Sequence, residues 1–235
     1  MNDPAKLVGL CLGTSLLESL ALYIVIGMNG ALETLVAQAY GANQVVLCGV
    51  YLNRARMINT FIFIPLVAIL LLTRPILRAL GQEPAVVEYA YTYVLINLCS
   101  VYFLGMYDLT KRFLNCLKET WVPMAAQMTA TILHIYWCHL FVNVLGWDIY
   151  GLGLASTLTS FILLASTMIY AHFIPEIKEA LFWPDATIWK GWMEYFRLGV
   201  PTTVMFCSEY WAWEILAILS GRLGVVVQAN MMITV

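Results

Sequence analysis

The stretch MINTFIFIPLVAILLLT, residues 57–73, lies between Arg56 and Arg74 and contains no charged side chain. Its length is close to the roughly 20 apolar residues that an α-helix needs to cross the hydrocarbon core of a bilayer. The whole chain has the same character, because 62% of its 235 residues are hydrophobic and only 11% are charged. Soluble domains carry about 25% charged residues. The sequence therefore predicts a membrane protein that crosses the lipid bilayer several times.

Composition and spacing exclude several other classes of protein. The net charge of −2 gives no basic surface for a polyanion, so nucleic acid is not an expected partner. The six cysteines are scattered through apolar stretches without a C-x-x-C pair, and we interpret them as buried thiols. His134 and His139 are not separated by the four residues that place two metal ligands on one helix face. We therefore predict no metal site, no cofactor and no enzymatic active site.

Apolar runs divided by charged or turn-forming segments predict the architecture. They indicate an all-α membrane protein, a polytopic helical bundle with about six spans. The longest polar connection, at about 174–195, is interpreted as a linker between two bundles. Gly9 and Gly13 form a pair of small residues that favours close packing of the first span against another helix. The apolar runs are 7–32, 57–73, the stretch between Glu88 and Asp108, the stretch between Glu119 and Asp148, 149–175 and about 196–221.

The distribution of Lys and Arg predicts the orientation of the spans, since cytoplasmic connections carry the excess of these residues. The first, third and fifth connections lie on one side of the membrane and carry eight lysines and arginines, whereas the opposite side has only Lys6, Arg74, Arg78 and Arg222. The side with eight is predicted to be cytoplasmic and the N-terminus to be outside, which suggests that one further span precedes residue 7. The eight residues are Arg54, Arg56, Lys111, Arg112, Lys118, Lys178, Lys190 and Arg197.

Three carboxylates lie inside the predicted spans, where an unpaired charge is costly and often functional. Glu18 lies midway along the first span, and Glu209 and Glu214 lie in the sixth. On a straight helix, five residues place Glu209 and Glu214 about 140° apart, so both cannot face one cavity. A membrane carboxylate of this kind can load a proton on one side and release it on the other. Glu33 and Asp108 lie near span ends, where we expect interfacial or capping roles.

Aromatic residues surround the acids of the sixth span. Tyr210, Trp211 and Trp213 offer ring faces to which an organic cation can bind. In the alternative interpretation, one glutamate forms a structural pair with a neighbouring helix and the rings only fill space.

A set of short motifs then becomes recognisable in a fixed order. The run GMNGALETLVAQAYGANQ at 27–44 resembles the second-helix signature of the multidrug and toxic compound extrusion (MATE) family. The segments RLGVP at 197–201 and SEYWAWEILAILSG at 208–221 resemble the seventh-helix region of its eukaryotic branch. The resemblance covers essentially the whole chain. The intervening matches are NRAR at 53–56, LGQEP at 80–84, KRFLNC at 111–116 and GLGLAST at 151–157.

The resemblance implies a twelve-helix fold of two six-helix bundles that works by alternating access. Residues 1–174 would be the N-terminal bundle without its first helix, and 175–195 the cytoplasmic linker. Residues 196–235 would hold the first helix of the C-terminal bundle and, at 225–235, the start of the next one. The resemblance also maps Glu209 onto the acid that binds protons and cations, and Glu214 onto the second acid of that motif. Glu18 departs from the family, which usually has Asn there.

The function implied is secondary active transport, in which organic cations or xenobiotics leave by antiport against protons. The alternative is a non-transporting fragment or assembly subunit of such a transporter. A lipid flippase of the same superfamily is less favoured, because none of the Lys and Arg residues lies in the middle of a predicted span. Plasma and vacuolar membranes are not distinguished.

Overall fold

The computed structural model describes residues 4–182 and 186–220, and these residues form helices and short connections without a strand. The prediction of an all-helical bundle is confirmed. The predicted start of a next helix, at 225–235, lies outside the described residues. The helices are α1 (Pro4–Leu17), α2 (Tyr23–Gly41), α3 (Val45–Leu71), α4 (Thr73–Ala79), α5 (Pro84–Cys116), α6 (Trp121–Cys138), α7 (Asp148–His172) and α8 (Trp192–Ser220).

Two π-helical turns and two 3-10 turns complete the described chain. The turn Glu18–Leu22 joins α1 and α2 into one segment of 37 residues, and a second π-helical turn, His139–Val144, extends α6. The 3-10 turns Pro175–Ala180 and Ala186–Trp189 lie in the connection before α8. Within the described ranges, four segments are long and apolar enough to cross a membrane: Ala5–Gly41, Val45–Leu71, Pro84–Cys116 and Asp148–His172. Together with α6 and α8 they form the six long units of the bundle.

The helices extend beyond the apolar runs that predicted them. The second run was predicted to begin at residue 57, but α3 begins at Val45 and so contains Arg54 and Arg56. Inside the bundle, Arg54 packs on the ring of Tyr51, at 5.2 Å, and Arg56 reaches Thr110 of α5. The helix α3 therefore begins about three turns before its apolar run, and Arg56 lies directly before that run.

The third and sixth spans are longer than predicted as well. The sequence ended the third span at Asp108, whereas α5 continues to Cys116, since Lys111 and Arg112 pair with carboxylates. The helix α8 begins at Trp192, before the predicted start at 196. Charged side chains at the ends of a bundle therefore do not mark the ends of its helices.

Contacts between neighbouring helices show that α1, α5 and α7 run in the same direction. A Cβ atom built on Gly9 would lie 2.5 Å from Cβ of Tyr89, and one on Gly13 would lie 3.1 Å from the carbonyl oxygen of Ala90. The helices α1 and α5 therefore run parallel and in backbone contact, which confirms the close packing predicted for this glycine pair. Similarly, Gly153 of α7 packs against Asn97 of α5.

The last described helix, α8, runs antiparallel to α2. Near one end, glycine allows close approach, because a Cβ atom on Gly27 would lie 2.5 Å from Cα of Thr203. A Cβ atom on Gly199 would meet the sulfur of Met28 and would lie 3.3 Å from the carbonyl oxygen of that residue. Further along, the two helices are joined through aromatic side chains, which are described below. In the half of the α2–α8 contact that contains the glycines, the two backbones approach each other closely. In the other half, the contact is formed by side chains.

Candidate cation-binding site

The π-helical turn Glu18–Leu22 lies in the middle of the segment formed by α1 and α2, with Glu18 as its first residue. The wider turn changes which side chains meet, since an α-helix would place residues 18 and 23 about 140° apart. In the structure, the hydroxyl of Tyr23 donates a hydrogen bond of 3.0 Å to Oε2 of half-buried Glu18. Single π-helical turns inside α-helices occur frequently at functional sites.

Rings from α8 complete this site. The ring of Tyr23 stacks on that of Tyr210, with 4.5 Å between centroids, and Phe206 packs against both at 6.3 and 5.0 Å. The indole Nε1 of Trp211 donates a hydrogen bond of 2.9 Å to the carbonyl oxygen of Ser19. One carboxylate and several aromatic faces therefore meet where α8 crosses the π-helical turn. This combination suits an organic cation, because the acid supplies charge and the rings supply cation–π contacts.

The structure joins some of the predicted site residues and not others. Glu18 and Tyr210 lie together through Tyr23, and Trp211 binds the same π-helical turn. The side chain of Glu209 is exposed, and no hydrogen bond or ion pair joins it to another described residue. The side chains of Trp213 and Glu214 lie outside the described part of the structure.

Sequence reasoning missed two members of the cluster, Tyr23 and Phe206. The signal for Phe206 was available, because it precedes Tyr210 by one helical turn on α8. The signal for Tyr23 was not, since its contact with Glu18 depends on a π-helical turn.

A second polar cluster lies between α2 and α5, at the end of the bundle where α2 finishes. Asp108 is buried there, contrary to the interfacial role predicted for it. The reason is that α5 supplies its partner one turn later, and Arg112 Nε lies 2.8 Å from Asp108 Oδ2. Asn29 donates to the same oxygen at 3.1 Å, and Arg112 also reaches the exposed Glu33 at 2.6 Å. The carboxylate of Asp108 is therefore neutralised inside the bundle.

This cluster gives a prediction about stability. We expect Arg112→Gln to lower the free energy of unfolding by about 3 kcal/mol, because it leaves the buried Asp108 carboxylate without its close cationic partner. Glu33→Gln is the matched control and should cost at most about 1 kcal/mol, since that ion pair is exposed. Denaturation of the full-length protein in mixed micelles, followed by tryptophan fluorescence, measures both values. Equal losses in the two variants would contradict the assignment of Asp108 as a buried, neutralised charge.

The cysteines and histidines do not form a further site in the described residues. No three metal-ligating side chains lie together there, and all six cysteines are free. Cys48 and Cys207 are buried as expected, whereas Cys99 is exposed on the surface of α5.

Comparison with known proteins adds the family context. The MatE family model matches residues 3–140. The chain is 28% identical over 222 residues to Protein DETOXIFICATION 36 of Arabidopsis thaliana, a match that covers 93% of this chain and 43% of that protein. It is 27% identical to Multidrug and toxin extrusion protein 1 of Oryctolagus cuniculus, over 94% of this chain and 39% of the relative. The chain thus spans about two fifths of the length of these relatives.

The fold of this chain closely resembles those of solved structures. The eukaryotic MATE transporter AtDTX14 superimposes with a TM-score of 0.85 at 24% identity, covering 91% of this chain and 48% of that one. An inward-facing multidrug resistance MATE family transporter of the MOP superfamily gives a TM-score of 0.80 at 16% identity, over 98% of this chain and 53% of its own. At these identities, the likeness concerns the fold.

Proposed function

Because the chain belongs to the MatE family, we propose that it works in a secondary transporter that exports organic cations and other xenobiotics in exchange for protons. The chain is an integral, multi-pass membrane protein. The observation that carries the proposal is the cluster of Glu18, Tyr23 and Tyr210 at the contact of α1, α2 and α8. The names of the relatives, which refer to extrusion of drugs and toxins, agree with it.

The chemistry proposed is mutually exclusive occupancy of a carboxylate. A deprotonated acid attracts the organic cation, while the aromatic rings replace part of its hydration. Protonation of the acid removes the charge and releases the cation, so that the proton gradient drives export. Glu209 is the acid to which the family resemblance gives this role, and Glu18 is the acid that lies among aromatic rings.

The contact between α2 and α8 is the element that we propose to open and close. Transport by alternating access requires one end of a helix contact to separate while the other holds. The glycine-mediated half, at Gly27 and Gly199, would hold the helices together because its backbones are in contact. The half formed by side chains, at Tyr23, Tyr210 and Trp211, can separate by rotation of those side chains and would admit the cation.

Reconstitution of the full-length protein in liposomes tests the proposed exchange. We expect an imposed proton gradient, acidic on the inside, to drive uptake of a fluorescent organic cation. A protonophore should abolish this accumulation, while an imposed sodium gradient alone should not support it. Uptake that follows the sodium gradient and ignores the protonophore would overturn proton coupling. Absence of any gradient-driven uptake would overturn the transport function itself.

A further inference from the structure

A furrow between α3 and α7 has no role in the site described above. Both helices lie beside α5, whose side chains form the floor of the furrow, and the connection before α8 closes its end. The furrow encloses a cavity of about 310 Å³. It lies at the end of the bundle where α2 finishes, which the distribution of Lys and Arg predicts to be cytoplasmic. The side chains that matter for its chemistry are Asn53, Arg56, Thr110, Phe113, His172 and Phe182.

The charged side chain in this cavity is Arg56, which pairs with no acid of the described residues. Among the described residues, the guanidinium of Arg56 has one hydrogen-bond partner, the hydroxyl of Thr110, at the long distance of 3.5 Å. No carboxylate of the described residues lies within ion-pair distance of it, whereas Arg74, Arg78 and Arg112 all pair with glutamate or aspartate. Among the described residues that line the cavity, none is acidic. A half-buried guanidinium with few donors used and no acid partner among the described residues favours an anion, and a phosphate or carboxylate matches its planar fork.

The walls of the cavity are apolar. Phe113 and Met168 line it from α5 and α7, and Leu181 and Phe182 cover it from the connection before α8. Asn53 holds this cover in place, because its side-chain amide donates a hydrogen bond of 2.9 Å to the carbonyl oxygen of Phe182. A free inorganic anion gains no binding free energy from apolar walls, whereas a hydrocarbon chain gains it by burying its surface against them.

A row of aromatic rings continues the furrow about 10 Å further toward the middle of the bilayer, two helical turns along α5. Phe63 of α3 packs on Tyr102 of α5 at 5.2 Å, and Phe103 packs on Phe161 of α7 at 5.4 Å. Phe161 is half exposed on the outer surface of the bundle. The furrow therefore offers a cationic group at the level of lipid headgroups and an aromatic surface at the level of acyl chains.

We propose that this furrow binds an anionic phospholipid of the cytoplasmic leaflet, with its phosphate on Arg56 and an acyl chain over Phe103 and Phe161. Basic pockets between helices on the cytoplasmic side of a membrane protein are recognised sites for anionic headgroups. The bound lipid touches α3, α5, α7 and the cover formed by Leu181 and Phe182. It therefore stabilises the folded bundle, and it does so independently of the cation site at Glu18.

The test uses the delipidated full-length protein in a neutral detergent and measures its thermal unfolding. We expect phosphatidylglycerol to raise the unfolding temperature well above the effect of phosphatidylcholine, because only the former carries a net charge. Arg56→Gln should raise the half-saturating concentration of phosphatidylglycerol about tenfold, which corresponds to loss of one charge-assisted contact. Arg74→Gln is the matched control, since Arg74 lies at the other end of the bundle, and it should leave this concentration unchanged.

Three results would overturn the proposal. The first is equal stabilisation by the two lipids, and the second is an unchanged phosphatidylglycerol response in Arg56→Gln. The third is the same stabilisation by inorganic phosphate, which would make the site one for free anions.

If Arg56→Gln does not fold, Arg56→Lys provides a second variant, because it keeps the charge but not the planar fork. It should weaken phosphatidylglycerol binding severalfold. Native mass spectrometry of the wild-type protein should also detect retained anionic lipid. An unchanged response in Arg56→Lys together with no retained lipid would equally overturn it.

Discussion

Full-length protein carrying Glu209→Gln is expected to lose proton-driven uptake of an organic cation by roughly 100-fold, the equivalent of about 2.7 kcal/mol. Glutamine keeps the size and hydrogen-bonding capacity of the side chain but neither titrates nor carries charge. If Glu209 is the acid that exchanges a proton for the cation, no group remains to couple the two. The measurement is the initial rate of uptake in liposomes with an imposed proton gradient.

The fold should not suffer from this change, which separates a transport defect from misfolding. The Glu209 side chain is exposed and makes no hydrogen bond or ion pair with another described residue, so the unfolding temperature should be unchanged. Glu194→Gln is the matched control, because Glu194 is also exposed on α8 but lies in its first turn. It should retain wild-type uptake. Wild-type rates in Glu209→Gln would remove Glu209 from the mechanism.

The second large effect is expected for Glu18→Gln. The glutamine oxygen still accepts the hydrogen bond from Tyr23, so the geometry of the π-helical turn is kept while its charge is lost. We expect the KM for an organic cation to rise about tenfold, since one charge–cation contact near the surface contributes roughly 1–2 kcal/mol. Proton coupling should persist, because Glu209 remains. Uptake measured over a range of cation concentrations gives KM and the maximal rate separately.

Tyr23→Phe provides the matched comparison for this prediction. It removes the hydrogen bond to Glu18 but keeps the ring that stacks on Tyr210. We expect a change in KM of about threefold or less, since only a neutral hydrogen bond is lost. If Tyr23→Phe and Glu18→Gln raise KM equally, the charge of Glu18 has no role in binding. An unaltered KM in Glu18→Gln would exclude the cluster as the cation site.

Most of the fold could be predicted from the sequence, because charge-free runs of helical length have one favourable arrangement in lipid. The number of long helical units followed from runs such as 57–73 and 149–175. The helix ends did not follow, since Arg56 and Asp108 were interpreted as boundaries although each lies inside its helix and contacts a residue of a neighbouring helix. Those partners come from tertiary packing, on which a one-dimensional hydropathy pattern carries no information.

The candidate site was predictable only in part, and for a local reason. The sequence identified Glu18, Tyr210 and Trp211, because an acid and aromatic rings within apolar runs are conspicuous. It could not bring Glu18 to Tyr23, since the π-helical turn that joins them has no clear sequence signature. Likewise Asp108 was assigned to the interface, because its burial depends on Arg112 and Asn29 closing around it.

Proton release on binding is the most direct test of the central claim that cation and proton compete for a carboxylate. An organic cation is added to the purified full-length protein in weakly buffered detergent solution, and a pH indicator follows the protons. We predict release of about one proton per bound cation near the midpoint of the titration of that acid, because only the deprotonated acid binds the cation. The same measurement on Glu209→Gln should show release reduced or abolished. Cation binding without any proton release, at every pH tested, would contradict the account.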